Sequence, residues 1–551
     1  MVYFLKIYLS TERQIMDTNN TPQTKQKAPI LRKKQYLYLT EFFSGMSVMA
    51  VELGASRLLA PYFSSSQIVW TIIIGTIMIA MALGNYFGGK SADKDPDPDK
   101  LYKRILISAV WIAAIPFVGK LVILAVSALL IVTVSTNFLI WAAFLACMIV
   151  FVYPLFLLGT VTPSLVKYTT DSLEDNGKTV GTLGAFNTIG SIIGTFAPTF
   201  ITIPSVGTAV TFLIFSGVLL ALGVVYFISA KRCAVRVAVC SVLFIGCCFA
   251  STTLGFAFWE DKITFEGESV YNYLLVKEDE KRTVLSTNVL FGVQSIYMKD
   301  GGLSGLYYDT AMAAPLMSAG GENSDILVLG MGTGTFAKQC REYYPGVSAE
   351  GVEIDDKITY LAHEFFELDE DIKVTTYDGR AYLEALKAQR RKGKGRQYDV
   401  IMVDAYQDIT IPFQMSSKEF FELVSQSLKP DGVMVVNMNM RSDTKDGINQ
   451  YLADTISSVF TNVYTSDVSG STNRELFASD NADMVNVLNS NISSVSDPDL
   501  AEKLGRVSRS LKPYKAGDLI LTDDKAPVEL LGMRVIDGMI SSELKYYKKS
   551  V

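Results

Sequence analysis

Histidine is nearly absent from this chain of 551 residues, cysteine is scarce, and positive charge is not in excess. The single His363 excludes a histidine-rich metal site. A Ser/His/Asp triad would have to use that one residue, whose setting LAHEFFEL reads as a surface helix. Five of the six cysteines (Cys147, Cys233, Cys240, Cys247, Cys248) lie in strongly apolar stretches and only Cys340 sits in a polar half, so there is neither a disulfide framework nor a CxxC zinc pattern. No metal is expected. Lys and Arg number 50 against 56 Asp and Glu, a net charge of -6, which leaves no basic surface for a phosphate backbone. Nucleic acid is not an expected partner. What is plentiful is apolar: 49% of the residues are hydrophobic and the mean hydropathy is +0.26, too apolar for an ordinary soluble enzyme.

The excess is concentrated in one half. From about 36 to 255 apolar runs follow one another, each near the ~20 helical residues that a bilayer core requires. Spans are expected near 36 to 60, 66 to 88, 103 to 118, 120 to 135, 137 to 160, 179 to 203, 206 to 229 and 234 to 255, with Lys120 marking a tight hairpin or a break in one long helix. Residues 1–35 read as a disordered cytoplasmic tail, because TNNTPQTKQK follows the short apolar start without a cleavage site. Lys25, Lys27, Arg32, Lys33 and Lys34 precede the first span and Lys90, Lys94, Lys100, Lys103 and Arg104 follow the second, so both segments are expected in the cytoplasm. Eight spans return the C-terminal half to the cytoplasm and seven put it outside. The cluster Lys231, Arg232, Arg236 fits seven better. Glu41, Glu52 and Arg57 lie in or near the first span, where ionisable groups pair, sit at the interface or line a polar path.

Beyond about 262 the runs shorten and charge returns. Residues 262–315 alternate β-rich runs with charged or Gly-rich turns, as hairpins do, and are expected to form a small antiparallel sheet. From 316 to 551 strand-like and helix-like runs alternate (DILVLG, TFAKQCREYY, VSAEGVEI, DKITYLAHEFF and onward), which argues a doubly wound, mainly parallel, Rossmann-like sheet.

In such a sheet the ligand sits beyond the carboxyl ends of the strands. The first strand runs into Gly330-Met331-Gly332-Thr333-Gly334, whose missing side chains let a ligand approach the backbone at a helix N-terminus. The second ends Glu353-Ile354-Asp355, about 20 residues on, where acidic side chains can accept both ribose hydroxyls of a nucleoside. Asp378-Gly379 ends the third, placed to read an adenine amino group, and Asp404 ends the fourth. The glycine spacing is GxGxG, and the third glycine of GxGxxG would fall at Thr335, which favours an S-adenosyl compound over NAD.

The LGMGTGT turn, the VEID strand end, the YDG step, the YDVIMVDAYQD strand end and the late LTDDKAPVE segment resemble spermidine synthases, the polyamine aminopropyltransferases. The resemblance covers about 265 to 535. VELGASRLLAPYFSSS, WTIIIGTIMIAMALGNYFGGKSAD and GTLGAFNTIGSIIGTFAPTFI look like the transporter-like module of the membrane-fused form. It implies that an amine attacks the aminopropyl carbon beside the sulfonium of decarboxylated S-adenosylmethionine, with Asp404 as the base. Asp408 would then hold a distal ammonium, and Tyr308, Tyr406 and Asn272 would line the amine channel. The sequence departs from the family at Thr333, where the turn usually carries Asp, at Asn272, which stands for Gln, and at Tyr307-Tyr308-Asp309, which stands for Tyr-His-Glu.

The expectation is thus a multi-pass protein of the cell membrane carrying an aminopropyltransferase on its C-terminal side. A cytosolic co-substrate puts that domain in the cytoplasm, hence eight spans. The partners are a small amine and the lipid bilayer, a homodimer is compatible with it, and no prosthetic group is called for. Two other readings stay open: a methyltransferase using S-adenosylmethionine on an amphiphilic substrate, which Thr333 would suit, and a polyamine transporter or sensor with a non-catalytic nucleoside-binding domain.

Overall fold

The computed structural model describes residues 28–133, 137–169, 176–289, 292–405, 411–439, 442–535 and 538. Most of the expected N-terminal tail lies outside them. Among the described residues, five helices are long and apolar enough to cross a membrane, or six if the bent pair Phe138–Val150 and Val152–Thr169 counts as one span. In chain order the helical half comprises α1 (Lys34–Phe63), α2 (Gln67–Lys94), α3 (Pro98–Thr133), the short helices α4 (Phe138–Val150), α5 (Val152–Gly159) and α6 (Val161–Thr169), then α7 (Asn176–Ala197), α8 (Ile203–Ala230) and α9 (Ala234–Thr253).

The two short spans expected at 103 to 118 and 120 to 135 form the single helix α3. Lys120 does not break it. The side chain is buried, its Nζ donates to the Leu254 carbonyl at 2.6 Å and stands 4.3 Å from the centre of the Phe256 ring, so its polar end is satisfied without unwinding the helix. Arg57 donates to the carbonyl oxygen of Val270. A chain reversal that the sequence places between 203 and 206 occurs at Gly207, whose φ of 80° and ψ of 170° interrupt the helix.

Small residues let these helices meet closely. A Cβ on Gly194 would lie 2.1 Å from the Met46 carbonyl oxygen, and one on Gly190 would lie 2.0 Å from that of Phe42. Following α1 upward, residues 41 to 46 meet 187 to 194 of α7 in rising order, through Glu41 with Asn187 and Met46 with Gly194. Residues of α8 meet α1 in falling order, through Phe212 with Gly54, Phe215 with Ser47 and Leu222 with Tyr36. Thus α7 and α8 flank α1 in opposite directions.

After the helices, β1 (Ile263–Glu268), β2 (Tyr273–Glu278), β3 (Arg282–Ser286) and β4 (Ser295–Met298) form an antiparallel sheet in sequential order. The larger sheet contains β5 (Asp325–Leu329), β6 (Ser348–Glu353), β7 (Lys373–Thr376), β8 (Tyr398–Val403), β9 (Leu428–Met438), β10 (Asn462–Asp467), β11 (Arg474–Ser479) and β12 (Lys512–Pro513), ordered β12-β10-β11-β9-β8-β5-β6-β7. Strands β7, β6, β5, β8 and β9 are parallel, and β11 is antiparallel to β9. Every residue of β8 is buried, as befits a central strand covered on both faces, and its apolar run YDVIMV supplies that burial without alternation. The order reverses between β5 and β8, the place where a doubly wound sheet opens a crevice. The helical half is followed by an α/β fold with a doubly wound, Rossmann-like sheet.

Gly194→Val should lower the melting midpoint of the detergent-solubilised protein, since overpacking a close helix contact costs about 1–3 kcal/mol. An unchanged midpoint would show that α1 and α7 do not meet there.

Candidate active site

At the end of β5 the chain turns through Gly330, Gly332 and Gly334, whose φ values are 83°, 55° and 85°. The left-handed region costs a side chain roughly 1–2 kcal/mol, and at Gly330 a Cβ would also fall 2.6 Å from Ala405 Cα. The turn is anchored at β6: the Gly330 and Met331 amides donate to the Val352 carbonyl, and the Gly332 amide donates to Glu353 Oε2 at 2.9 Å. Parallel pairing sets Leu329 opposite Val352 and Val403, so Glu353 and Asp404, the next residue along each strand, flank the turn from opposite sides.

These strand ends surround a cavity of about 240 Å³. Gly330, Gly332, Glu353, Asp378, Gly379, Tyr308, Asn272 and Asp404 all line it. Asp355 and Gly334 do not line it. The Asp355 carboxylate accepts from the Lys357 amide at 3.1 Å, the Ser269 hydroxyl at 2.5 Å and the Asn272 amide at 2.9 Å, so it caps a helix and ties down the β1–β2 turn. Gly334 instead starts the helix Thr335–Tyr343. Asp378 also accepts the Ala381 amide at 2.8 Å as a helix cap. Tyr308 donates its hydroxyl to the Gln294 carbonyl at 2.8 Å. Tyr406 and Asp408 lie outside the described residues.

Asp404 is 8% exposed. Its Oδ2 accepts the Tyr307 hydroxyl at 2.7 Å and its Oδ1 accepts the Asn437 amide at 3.1 Å. Burial pushes the carboxyl up to about 7; the two donors oppose that shift and the charge of Glu353 adds to it. Burial likewise pushes Glu353 up to about 7, against the backbone amides that it accepts. One side of the cavity is thus built of glycine backbone and a hydrogen-bonded glutamate. Its inner wall carries a carboxylate poised to take a proton near neutral pH. The Thr333 hydroxyl, at the turn position where the resembled family carries Asp, is buried without a hydrogen-bond partner among the described residues.

Sequence reasoning missed several members of this site. Asn437 sits opposite Glu475 in the β9–β11 pairing and is the neighbour of Asp404 across β8–β9, a relation that only the strand order reveals. Ser65, in the turn between α1 and α2, also lines the cavity, together with Tyr271 from the β1–β2 turn. No soluble-domain motif could have pointed to Ser65. That turn is gripped by the helical half: Glu268 accepts the Thr208 amide at 2.7 Å and the Thr208 hydroxyl at 2.5 Å, and the Val270 carbonyl accepts from Arg57.

Gly330→Ala should weaken binding of an S-adenosyl compound roughly tenfold or more, the equivalent of ~1.4 kcal/mol, in an equilibrium titration. Wild-type affinity in that variant would move the nucleoside site away from the turn.

The spermine/spermidine synthase domain family matches residues 306–469. A probable polyamine aminopropyl transferase of Bifidobacterium longum is 50% identical over 342 residues, covering 59% of this chain and 74% of that protein. A polyamine aminopropyltransferase of Vibrio vulnificus is 29% identical over 190 residues, 33% of this chain and 61% of that one. Among solved structures, a probable spermidine synthase from Corynebacterium glutamicum aligns over 47% of this chain and 99% of its own, at 20% identity and a TM-score of 0.35. With half of its aligned residues shared across three quarters of the Bifidobacterium protein, and the strand-end site carried on a Rossmann-like sheet, the chain belongs to the polyamine aminopropyltransferase family.

Proposed function

We propose that this protein is a membrane-anchored transferase that moves an aminopropyl group from decarboxylated S-adenosylmethionine to a diamine or related amine. The observation that carries the reading is Asp404, a buried carboxyl pushed up to about 7 at the edge of a glycine-walled cavity and oriented by Tyr307 and Asn437. The nucleoside would lie along Gly330, Gly332 and Glu353, with Asp378 and Gly379 at its base end. Tyr308 and Asn272 would wall the channel beside it.

The chemistry asks little of the protein beyond position and a proton acceptor. The amine nitrogen attacks the aminopropyl carbon bound to the sulfonium. A C–N bond forms, the C–S bond breaks, and its electron pair neutralises the sulfur as methylthioadenosine leaves. The nitrogen gains positive charge as it attacks, and Asp404 accepts its proton. An ionised Asp404 also attracts the amine, and its charge is felt strongly because burial excludes water.

Two observations bear on the rival transfer of a methyl group. Thr333 in the turn offers no carboxylate to an aminopropyl ammonium. Asp404 offers a proton acceptor at the cavity wall, which an amine attacking either group would need as it loses its proton. Membership of the polyamine aminopropyltransferase family favours aminopropyl transfer.

Asp404→Asn should cut methylthioadenosine release at least ~100-fold, the usual contribution of a positioned base, while methylthioadenosine binding stays at the wild-type value. An Asn variant that turns over normally would remove Asp404 from the chemistry. The base works only when ionised, so kcat/KM should rise with pH through about 7 on its acid side. Tyr307→Phe removes a donor that favours the ionised form, so that limb should move to higher pH. A limb that moved down or stayed in place would show that Tyr307 does not support the carboxylate.

A further inference from the structure

Beyond the cavity, the same strand ends hold a second buried carboxyl that nothing in the proposed reaction yet uses. Val403 of β8 is opposite Val436 of β9, and Asn437 of β9 is opposite Glu475 of β11. Asp404, Asn437 and Glu475 therefore form one row across three strands, and residues directly opposed in neighbouring strands project to the same face. Glu475 is 0% exposed, and neither of its carboxyl oxygens has a hydrogen-bond partner among the described residues.

Its neighbours are already engaged. The Asn437 amide donates to Asp404 and to Asn439, and its carbonyl oxygen accepts the Asn473 amide. On the other side Ser466, opposite Glu475, pairs its hydroxyl with Ser510. Arg474, next in sequence, bonds Asp467 and Asp443. A buried carboxyl without any partner is costly, and it is the arrival of a cation that would relieve the cost. Burial, and after it the Asp404 charge, push its carboxyl well above the usual carboxylate range.

We propose that Glu475 is a binding residue for the distal ammonium of the acceptor, on the side of Asp404 away from the nucleoside. This rests on the aminopropyl-transfer reading. Two strand spacings separate β8 from β11, roughly 10 Å, a gap that a short aliphatic chain with a nitrogen at each end can bridge. A diamine or longer polyamine would reach Glu475 with its distal nitrogen, whereas a monoamine would leave it unpaired.

The test is equilibrium binding of 1,4-diaminobutane and of butylamine to the detergent-solubilised full chain with methylthioadenosine present. The wild type should prefer the diamine at least tenfold. Glu475→Gln should abolish that preference while butylamine and methylthioadenosine bind as before. Equal affinities in the wild type, or an undiminished preference in the Gln variant, would overturn the assignment. A Gln variant that loses methylthioadenosine binding is misfolded, and the wild-type preference then decides. Glu475-dependent diamine binding without methylthioadenosine release would keep this assignment and sink the transfer reading instead.

A separate observation concerns the side of the membrane on which the site stands. Counting the bent pair α4 to α6 as one span and dividing the stretch 177–230 at the Gly207 reversal gives seven candidate spans before the soluble half. One end of the bundle gathers the short connections rich in Lys and Arg. There Lys100 pairs with Asp95 at 2.7 Å, Lys167 with Asp93 at 2.9 Å and Arg232 with Asp99 at 3.4 Å, and Arg104 donates to Ser91 at 2.7 Å. The opposite end carries the catalytic half, through Glu529 with the Gln67 amide at 2.7 Å, the Val289 amide with the Pro61 carbonyl at 3.1 Å, and Glu268 with Thr208. Its connection 64–66 contains no Lys or Arg.

Basic short loops stay in the cytoplasm. We infer that the catalytic half faces the extracytoplasmic side, in place of the cytoplasmic position that eight spans imply, so that both substrates must be present on that face. Lys394→Cys, in the soluble half, should react with a membrane-impermeant maleimide on intact cells, and Lys178→Cys, at the basic end, only after permeabilisation. The reverse pattern, or protection of both, would overturn the orientation.

Discussion

Everything in the site depends on the removal of one carboxylate from water. Asp404 occupies the end of a strand that is buried along its whole length, at the point where the strand order reverses. In that position its charge is expensive, and among the described residues hydrogen bonds from Tyr307 and Asn437 hold its carboxyl in place. The cost is what makes it useful. An exposed aspartate would be ionised at every physiological pH and too weak a base to matter, whereas one raised to about 7 by burial balances ionisation against basicity.

The rest of the fold can be understood as support for that burial. The glycine turn after β5 closes over the strand ends because its residues tolerate positive φ, and Glu353 fastens it through the Gly332 amide. The small sheet lays its β1–β2 turn against the cavity, and the helical half grips that turn through Thr208 and Arg57. Ser65 carries the helical bundle to the wall of the cavity itself. Bundle and catalytic half thus meet at the site, and a shift of α1 or α8 would be felt at Asn272, the residue tied to Asp355.

Much of this was legible in the chain. Apolar runs gave the helical half, alternating runs gave the sheet, and strand-end logic picked out Gly330, Glu353, Asp378 and Asp404, which line one cavity. What hydropathy could not convey was how buried polar groups are satisfied. Lys120 read as a break because a charge interrupts an apolar run, yet its Nζ finds a carbonyl and an aromatic face across the bundle. Asp355 read as a ribose ligand from its place beside Glu353, but its oxygens are filled by Ser269, Asn272 and a helix amide. Asn437 and Glu475 carry no motif at all. Their relation to Asp404 exists only in the pairing of β8, β9 and β11, which no local pattern encodes.

The central claim is the group that is transferred. It is tested most directly by mass spectrometry of the products formed when the purified full-length protein meets decarboxylated or ordinary S-adenosylmethionine, each with a panel of diamines. The account predicts methylthioadenosine and an amine heavier by one aminopropyl unit, from the decarboxylated donor alone. S-adenosylhomocysteine with a methylated product would contradict it.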